Sequence, residues 1–181
     1  MTLRTFEDID PFIADDAYVD PDATVIGDVT IGAQSSVWPQ CVLRGDVNII
    51  RIGERTNIQD GTIVHVAHDG EFSPGGHATT IGDDVTVGHR AIVHACTIED
   101  RVLVGMGAII MDGAVVRNDV IIGAGALVPP GKELESGWLY VGTPAKAHRE
   151  LTEDEYRLLK YSANHYTEVA ARHAGEGKNH E

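Results

Sequence analysis

The 181-residue sequence has few aromatic residues, only two cysteines and no long apolar run. Cys41 and Cys96 are too few for a disulfide framework, so we expect two buried thiols in a reducing compartment. The start of the chain is acidic, and no segment approaches the roughly 20 apolar residues that span a bilayer. The sequence therefore predicts a cytoplasmic protein without a signal peptide or membrane segment.

Positive charge is also scarce. The chain has 14 Lys and Arg against 28 Asp and Glu, for a net charge of −14. Nucleic acids and anionic membranes are negatively charged and repel such a surface, so the composition argues against both partners. Glycine, in contrast, is abundant at 20 residues, while aromatic residues make up 6%. This combination favours a chain with many tight corners over a helical bundle.

Aliphatic residues recur every six positions along most of the chain. Neither the helical period of 3.6 nor the strand period of two explains this spacing. Six residues fit one face of a three-sided prism, in which coils of three faces stack about 4.8 Å apart. The sequence predicts an all-β fold, a parallel β-helix of hexapeptide repeats, with a C-terminal α-helix packed on it. The inward-pointing anchors are Val19, Val25, Ile31, Val37, Leu43, Ile52, Ile58, Val64, Ile81, Val87, Val93, Ile98, Val104, Ile110, Val116, Ile122 and Val128.

Interruptions of the repeat suggest the domain boundaries. A polar stretch rich in Gly and Pro predicts a protruding loop at 66–80, and the run Pro129-Pro130-Gly131 predicts the end of the prism. Thr152 and Glu155 have the spacing of a capping box at the start of a helix. The expected segments are a β-helix domain at 1–131, a connection at 132–151, an α-helix at 152–174 and a disordered tail at 175–181.

Two histidines follow anchors at matching positions of the repeat. His65 follows Val64 and His94 follows Val93, so both should lie about 4.8 Å apart on consecutive coils. His89 falls on the preceding face and is expected to complete the site of a neighbouring chain in a three-fold homotrimer. Three imidazoles with one open position are typical of a catalytic metal site. Imidazole accepts Zn²⁺, Co²⁺ and Fe²⁺, and the sequence does not choose among them.

Four motifs resemble the γ-class carbonic anhydrase family and its bacterial relatives. They are RGD at 44–46, TNIQDG at 56–61, IVH ending at His65 and VGHRAIVH ending at His94. The resemblance covers nearly the whole chain. It implies a left-handed β-helix, a trimer with three interfacial metal sites, and reversible hydration of carbon dioxide to bicarbonate with Zn²⁺, Co²⁺ or Fe²⁺.

The resemblance also implies roles for several polar residues. Gln59 corresponds to the residue that orients the nucleophile and helps to position carbon dioxide. Arg44 and Asp46 correspond to a pair that links subunits near the site. Asn57 and Asp60 correspond to neighbouring polar positions.

Two further roles remain open at this point. The terminal helix of the family contributes a residue at the pocket edge, for which Tyr166 and Asn164 compete. The family's prototype members carry a proton-exporting glutamate after the aspartate that Asp46 matches, but this chain has Val47 there. The loop offers other candidate proton carriers: His68, Glu71 and His77.

Two other functions compete with carbon dioxide hydration. An acyl-CoA thioesterase or acyltransferase can be built on the same prism, although no sequence signature for a pantetheine groove is visible. A non-catalytic assembly protein can use the trimer as a scaffold. Metal content separates the scaffold from the enzymes, and paired assays of hydration and thioester cleavage separate the two enzymes.

Overall fold

A computed structural model describes residues 2–175. The predicted disordered tail lies outside the described residues, apart from Gly175. Within these residues there are twenty strands followed by one helix. The strands are Thr2–Arg4 (β1), Phe12–Ile13 (β2), Tyr18–Val19 (β3), Thr24–Ile31 (β4), Ser36–Val37 (β5), Val42–Ile52 (β6), Asn57–Ile58 (β7), Ile63–His65 (β8), Thr79–Ile81 (β9), Thr86–Val87 (β10), Ile92–His94 (β11), Thr97–Ile98 (β12), Leu103–Val104 (β13), Ile109–Ile110 (β14), Val115–Val116 (β15), Ile121–Ile122 (β16), Leu127–Val128 (β17), Glu133–Leu134 (β18), Trp138–Val141 (β19) and Lys146–Glu150 (β20).

The strands stack into the three faces of a parallel β-helix. Face 1 contains β1, β8, β11, β14, β17 and the first halves of β4 and β6. Face 2 contains β2, β9, β12, β15, β18 and the second halves of β4 and β6. Face 3 contains β3, β5, β7, β10, β13, β16 and β19. Pairing between successive coils is parallel throughout, which confirms the predicted fold class.

The hexad anchors form the interior, as the repeat predicts. Every predicted anchor is buried. On face 1, for example, Leu43, Val64 and Val93 stack directly on one another in successive coils. Burying one such aliphatic side chain contributes roughly 1.5–3 kcal/mol. The repeat therefore builds a narrow continuous core along the prism axis.

The prism continues beyond its predicted end at residue 131. Strands β18 and β19 pair with β15 and β16, and add another coil. Leu134 and Tyr140 extend the six-residue spacing from Val128 and are buried in the same core. Gly131 has a φ of 66° at an ordinary corner, so the proline-glycine run turns the chain without ending the prism. The predicted connection at 132–151 is wrong, because this segment holds the last coil and the antiparallel strand β20.

The excursion between β8 and β9 is a small hairpin. Antiparallel bridges join Ala67 to His77 and Gly70 to Ser73. The predicted loop at 66–80 is too long at its C-terminal end, because its last two residues, Thr79 and Thr80, belong to β9. The hairpin leaves the coil at a corner, so the strands on either side keep their register.

Helix α1 (Glu153–Ala174) packs on face 3. Thr152 and Glu155 form the capping box, and Gly175 ends the helix in a left-handed conformation. Leu159 packs with Ile121 beneath it. No helix within residues 2–175 is long and apolar enough to cross a bilayer.

The outer surfaces of the three faces differ in character. Helix α1 covers face 3. Face 2 presents mostly polar side chains, such as Thr30, Arg51 and Thr97. Face 1 presents a row of partly exposed aliphatic side chains in register on five successive coils. This row, which we call the apolar ladder, consists of Val42, Ile63, Ile92, Ile109 and Leu127.

Candidate metal centre

His65 and His94 lie side by side on neighbouring coils. They are opposite each other in the pairing of β8 with β11, and their ring centroids are 5.1 Å apart. Nδ1 of His65 lies 3.1 Å from Nε2 of His94. Two nitrogen ligands of a tetrahedral ion, each at about 2.1 Å, lie about 3.4 Å apart. The observed separation is therefore close to that of two ligands on one ion.

Carboxylates on the far sides of both rings determine which nitrogens carry lone pairs. Asp46 Oδ1 lies 3.2 Å from His65 Nε2, and Asp112 Oδ1 lies 2.6 Å from His94 Nδ1. An ionised carboxylate only accepts, so both of these nitrogens donate. The two nitrogens that face each other then both present lone pairs, which repel unless a cation lies between them. The donor set fits a divalent ion that prefers imidazole.

Electrostatics favour the neutral form of His65. Burial lowers the pKa of His65, and this effect outweighs the contact with Asp46, which alone raises it. Burial raises the pKa of Asp46, but hydrogen bonds from Arg44 and His65 more than offset it, so the Asp46 pKa lies below its usual value. Arg44 and Asp46 form an ion pair within one chain. A neutral imidazole beside an ionised carboxylate is the state that binds a metal.

His89 lies at the opposite edge of face 1. It occupies the corner before β11, and its side chain is 44% exposed. Its Nδ1 lies 2.9 Å from Asp60 Oδ2, which leaves Nε2 as the nitrogen able to bind a metal. No group of three metal-binding side chains comes together in the part of the single chain that the structure describes.

Gln59 and Asn57 lie on the His89 edge. Gln59 is only 5% exposed, and its Nε2 donates to Asn57 Oδ1 at 3.0 Å. Asn57 in turn donates to Thr86 Oγ1 at 3.0 Å, and Thr86 Oγ1 lies 2.9 Å from Ser162 Oγ on α1. This chain of hydrogen bonds fixes the Gln59 carboxamide against the helix. Gln59 and His89 line one open, mainly apolar hollow.

The structure distinguishes Tyr166 from Asn164. Tyr166 is half-buried against Trp38, with ring centroids 5.6 Å apart. Burial, followed by the nearby charge of Asp60, raises the Tyr166 pKa. Asn164 is exposed on α1, one residue beyond the buried Ala163, and has no side-chain hydrogen bond among residues 2–175. Tyr166 is therefore packed against the prism, whereas Asn164 points away from the core of the single chain, and the choice between them at the pocket edge stays a prediction.

The candidate proton carriers His68, Glu71 and His77 are all exposed on the hairpin. The His68 ring lies over Gly70 of the same hairpin. The His77 ring packs beside Gly113, the residue after Asp112. Of the two histidines, His77 is thus the one placed against the coil that supports His94.

The candidate residues fall into two groups, which we call the candidate half-sites, one on either side of the apolar ladder. The first holds His65 and His94, and the second holds His89 and Gln59. The motifs in the sequence did not point to Asp112. It lies 18 residues after His94, which is one coil of the repeat, so a search at that spacing from each candidate ligand finds it.

Known proteins resemble this chain along its full length. The family Bacterial transferase hexapeptide (six repeats) matches residues 10–45 and 95–130. Protein YrdA of Escherichia coli is 49% identical over 175 residues, which cover 97% of this chain and 95% of that protein. The mitochondrial gamma carbonic anhydrase 2 of Arabidopsis thaliana is 48% identical over 178 residues, covering 97% of this chain and 63% of that longer protein.

A solved structure agrees with these relatives. The hexapeptide transferase family protein of Anaplasma phagocytophilum has a TM-score of 0.86 and 42% identity, and the match covers 93% of this chain and 96% of that one. These alignments include the hairpin and the terminal helix as well as the prism. The chain therefore belongs to the hexapeptide-repeat family of γ-carbonic anhydrase-like proteins.

Proposed function

We propose that this protein is a homotrimeric, metal-dependent carbonic anhydrase that hydrates carbon dioxide reversibly to bicarbonate. The observation that carries the proposal is the pair of imidazole nitrogens, on His65 and His94, that face each other at 3.1 Å. Their outer nitrogens are both engaged by carboxylates, so the facing pair is arranged for a cation. The relatives named as carbonic anhydrases support the same reading.

The proposed trimer follows from the position of the half-sites. Ile63 and Ile92 of the apolar ladder are each 39% exposed in the single chain, although they stack in register between the two half-sites. An exposed contiguous apolar row is typical of a protein–protein interface. A three-fold arrangement with parallel prisms buries the ladder and brings His89 of one chain to His65 and His94 of the next.

His65, His89 and His94 would hold a divalent cation, which would supply Lewis acidity and lower the pKa of water to near neutral. The chain's own groups then direct the reaction. The Gln59 amide nitrogen is engaged by Asn57, so its Oε1 is free to accept a hydrogen bond from the attacking hydroxide. This contact turns a hydroxide lone pair toward the carbon of the substrate. Asp60 holds His89 in the matching orientation.

The hollow beside His89 suits carbon dioxide. Its lining is mainly apolar and includes Leu103, Met106 and Ile122, while Gln59 supplies a polar group at its edge. A neutral, weakly hydrated molecule enters such a surface without losing strong hydrogen bonds to water. Ser162 of α1 also lines this hollow, and Tyr166 is the proposed residue of α1 at the edge of the pocket.

A proton must leave after each hydration cycle. His77, and secondarily His68, carries it from the first half-site to solvent in this proposal, since both imidazoles are exposed near the hairpin. The proposed setting is the cytoplasm, because Cys41 and Cys96 are both free thiols in the core. The bound metal is Zn²⁺, with Co²⁺ and Fe²⁺ as the alternatives that the same ligands accept.

The test begins with metal content and oligomeric state of freshly purified protein. We expect one divalent ion per chain, a trimer, and carbon dioxide hydration in stopped-flow assays that is lost on chelation and regained with metal. His65→Ala should lose both metal and activity, and His148→Ala, which removes an exposed histidine of β20, should lose neither. A metal-free trimer without activity would instead support a scaffold.

The second candidate is an acyl-CoA thioesterase or acyltransferase. The apolar hollow and the transferase family name of the Anaplasma relative favour it. Thioester cleavage and acyl transfer should therefore be assayed on the same preparation. Turnover of acyl-CoA with no carbon dioxide hydration by the metal-loaded protein would replace the proposal with this candidate.

A further inference from the structure

Of the three contacts between a candidate histidine and a carboxylate, the one between His94 and Asp112 is the shortest. The separations are 3.2 Å for Asp46 and His65, 2.9 Å for Asp60 and His89, and 2.6 Å for Asp112 and His94. Asp112 lies one coil after His94, at the corner that follows β14. A short hydrogen bond to an ionised oxygen is about twice as strong as one between neutral groups.

We propose that Asp112 is a positioning residue of the metal centre. By accepting from Nδ1, it turns the His94 ring so that Nε2 faces Nδ1 of His65. It also holds His94 in the tautomer whose lone pair is on Nε2. This inference rests on the proposed function, since it concerns the same three-histidine site.

The negative charge of Asp112 also increases the affinity of the site for a divalent ion. Arg44 neutralises Asp46, but within residues 2–175 the ionic contacts of Asp112 and Asp60 are only with their histidines. When these histidines are neutral ligands, two carboxylate charges remain uncompensated next to the site. They balance the two positive charges of a divalent ion. The Asp112 charge therefore favours the loaded site over the empty one.

The fold itself does not depend on the Asp112 carboxylate. The side chain is 41% exposed and makes no other hydrogen bond among the described residues. Its backbone carbonyl accepts from Gly131, a contact that any residue at position 112 retains. Substitution should therefore change the site without removing core packing or a strand pairing.

The experiment measures zinc affinity of the metal-stripped trimer by competition with a chromophoric chelator. We expect Asp112→Ala to weaken zinc binding about 10–100-fold. Asp112→Asn keeps an acceptor but removes the charge, so its affinity should lie between those of Asp112→Ala and the wild type. Asp119→Asn is the matched control, because it alters a corner carboxylate that pairs with Arg101. Its zinc affinity should equal that of the wild type.

Two further measurements separate positioning from stability. The thermal midpoints of the two metal-free Asp112 variants should match the wild type, and the visible spectrum of the cobalt-loaded Asp112→Ala trimer should differ from that of the wild type. Wild-type zinc affinity in both Asp112 variants would overturn the inference while leaving the proposed function intact. A lower midpoint with unchanged affinity would show a structural role and also overturn it. A wild-type trimer that binds no metal would refute the proposed function instead.

Discussion

His89 and His94 are five residues apart in the chain but lie at opposite edges of face 1. His89 occupies the corner before β11, and His94 is the last residue of that strand. A span of five residues covers up to roughly 16 Å when extended. In the proposed trimer, the two imidazoles therefore face different neighbours of the same prism. This spacing suits a residue pair that serves two interfaces rather than one site within a chain.

Mixing two inactive variants should restore metal binding. His89→Ala and His65→Ala chains each lack one half-site, so neither homotrimer should hold the ion. In trimers reassembled from equal amounts, an intact site forms wherever complementary half-sites meet, which is about one site in four for random mixing. Metal content measured after refolding checks this. Mixed trimers as empty as both parents would contradict a shared site.

Replacing Gln59 should separate metal binding from catalysis. Gln59→Ala removes a buried carboxamide that is not placed to ligate the ion beside His65 and His94. We expect unchanged metal content and a fall of about 10²-fold in the rate of carbon dioxide hydration. Gln34→Ala, which removes a carboxamide from a corner near α1, should leave both unchanged. Loss of metal from Gln59→Ala, or full activity, would show that its role is different.

Loss of the hairpin histidines should lower the rate of carbon dioxide hydration only when the buffer concentration is low. The double variant His68→Ala, His77→Ala is expected to lower the maximal rate at least roughly tenfold in weak buffer, with metal content intact. The His77→Ala single variant should account for most of the loss, because His77 packs beside Gly113. Added imidazole should recover the rate by carrying the proton instead. Equal rates for the double variant and the wild type would show that the hairpin does not carry the proton.

The apolar ladder should control assembly. Ile92→Glu places a carboxylate at the centre of the ladder, where burial in a trimer carries a desolvation cost of several kcal/mol. We expect a monomer in light scattering coupled to size exclusion, together with loss of bound metal. Thr97→Glu makes a comparable change on face 2 and should remain trimeric. A trimeric Ile92→Glu protein would mean that another surface forms the interface.

Acid should weaken the start of α1 through Glu155. The hydrogen bond from Arg149, followed by that from the Thr152 backbone, lowers the Glu155 pKa from 4.5 to about 2. Because the folded pKa is depressed, the contribution is complete above about pH 4.5 and is lost as pH falls toward 2. Glu155→Gln keeps the capping acceptor but loses the charge, so at pH 7 it should cost less than about 1 kcal/mol.

Urea unfolding followed by circular dichroism at several pH values checks this expectation. The difference between wild type and Glu155→Gln should shrink between pH 4.5 and 2. Glu168→Gln, an exposed change on the same helix, should show no such trend. A difference that stays constant down to pH 2 would rule out the Arg149 pair as its source.

The periodic part of the fold was predictable because the hexad is a local rule. Most anchors are branched aliphatic residues six positions after the previous one, and Val64 and Val93 stack in register despite the hairpin between them. The end of the prism was misplaced because Pro129-Pro130-Gly131 was interpreted as its terminus, although Leu134 and Tyr140 continue the six-residue spacing beyond it.

The capping of α1 was equally predictable, since Thr152 and Glu155 interact within one turn. Which side of the helix packs on the prism was not. Asn164 and Tyr166 lie on different sides of α1, and only the packing against face 3 decides that Tyr166 is the one half-buried beside Trp38.

The sequence by itself determined the six-residue repeat, the pairing of His65 with His94 and the separation of His89 from them, because all three depend on spacing along one regular coil. Only the tertiary structure decided that Asp46 and Asp112 engage the outer nitrogens of the two histidines. It also decided that, within residues 2–175, the apolar ladder of face 1 stays partly exposed while α1 covers face 3. These features depend on side-chain directions at corners and on the packing of distant segments, which the hexad period does not specify.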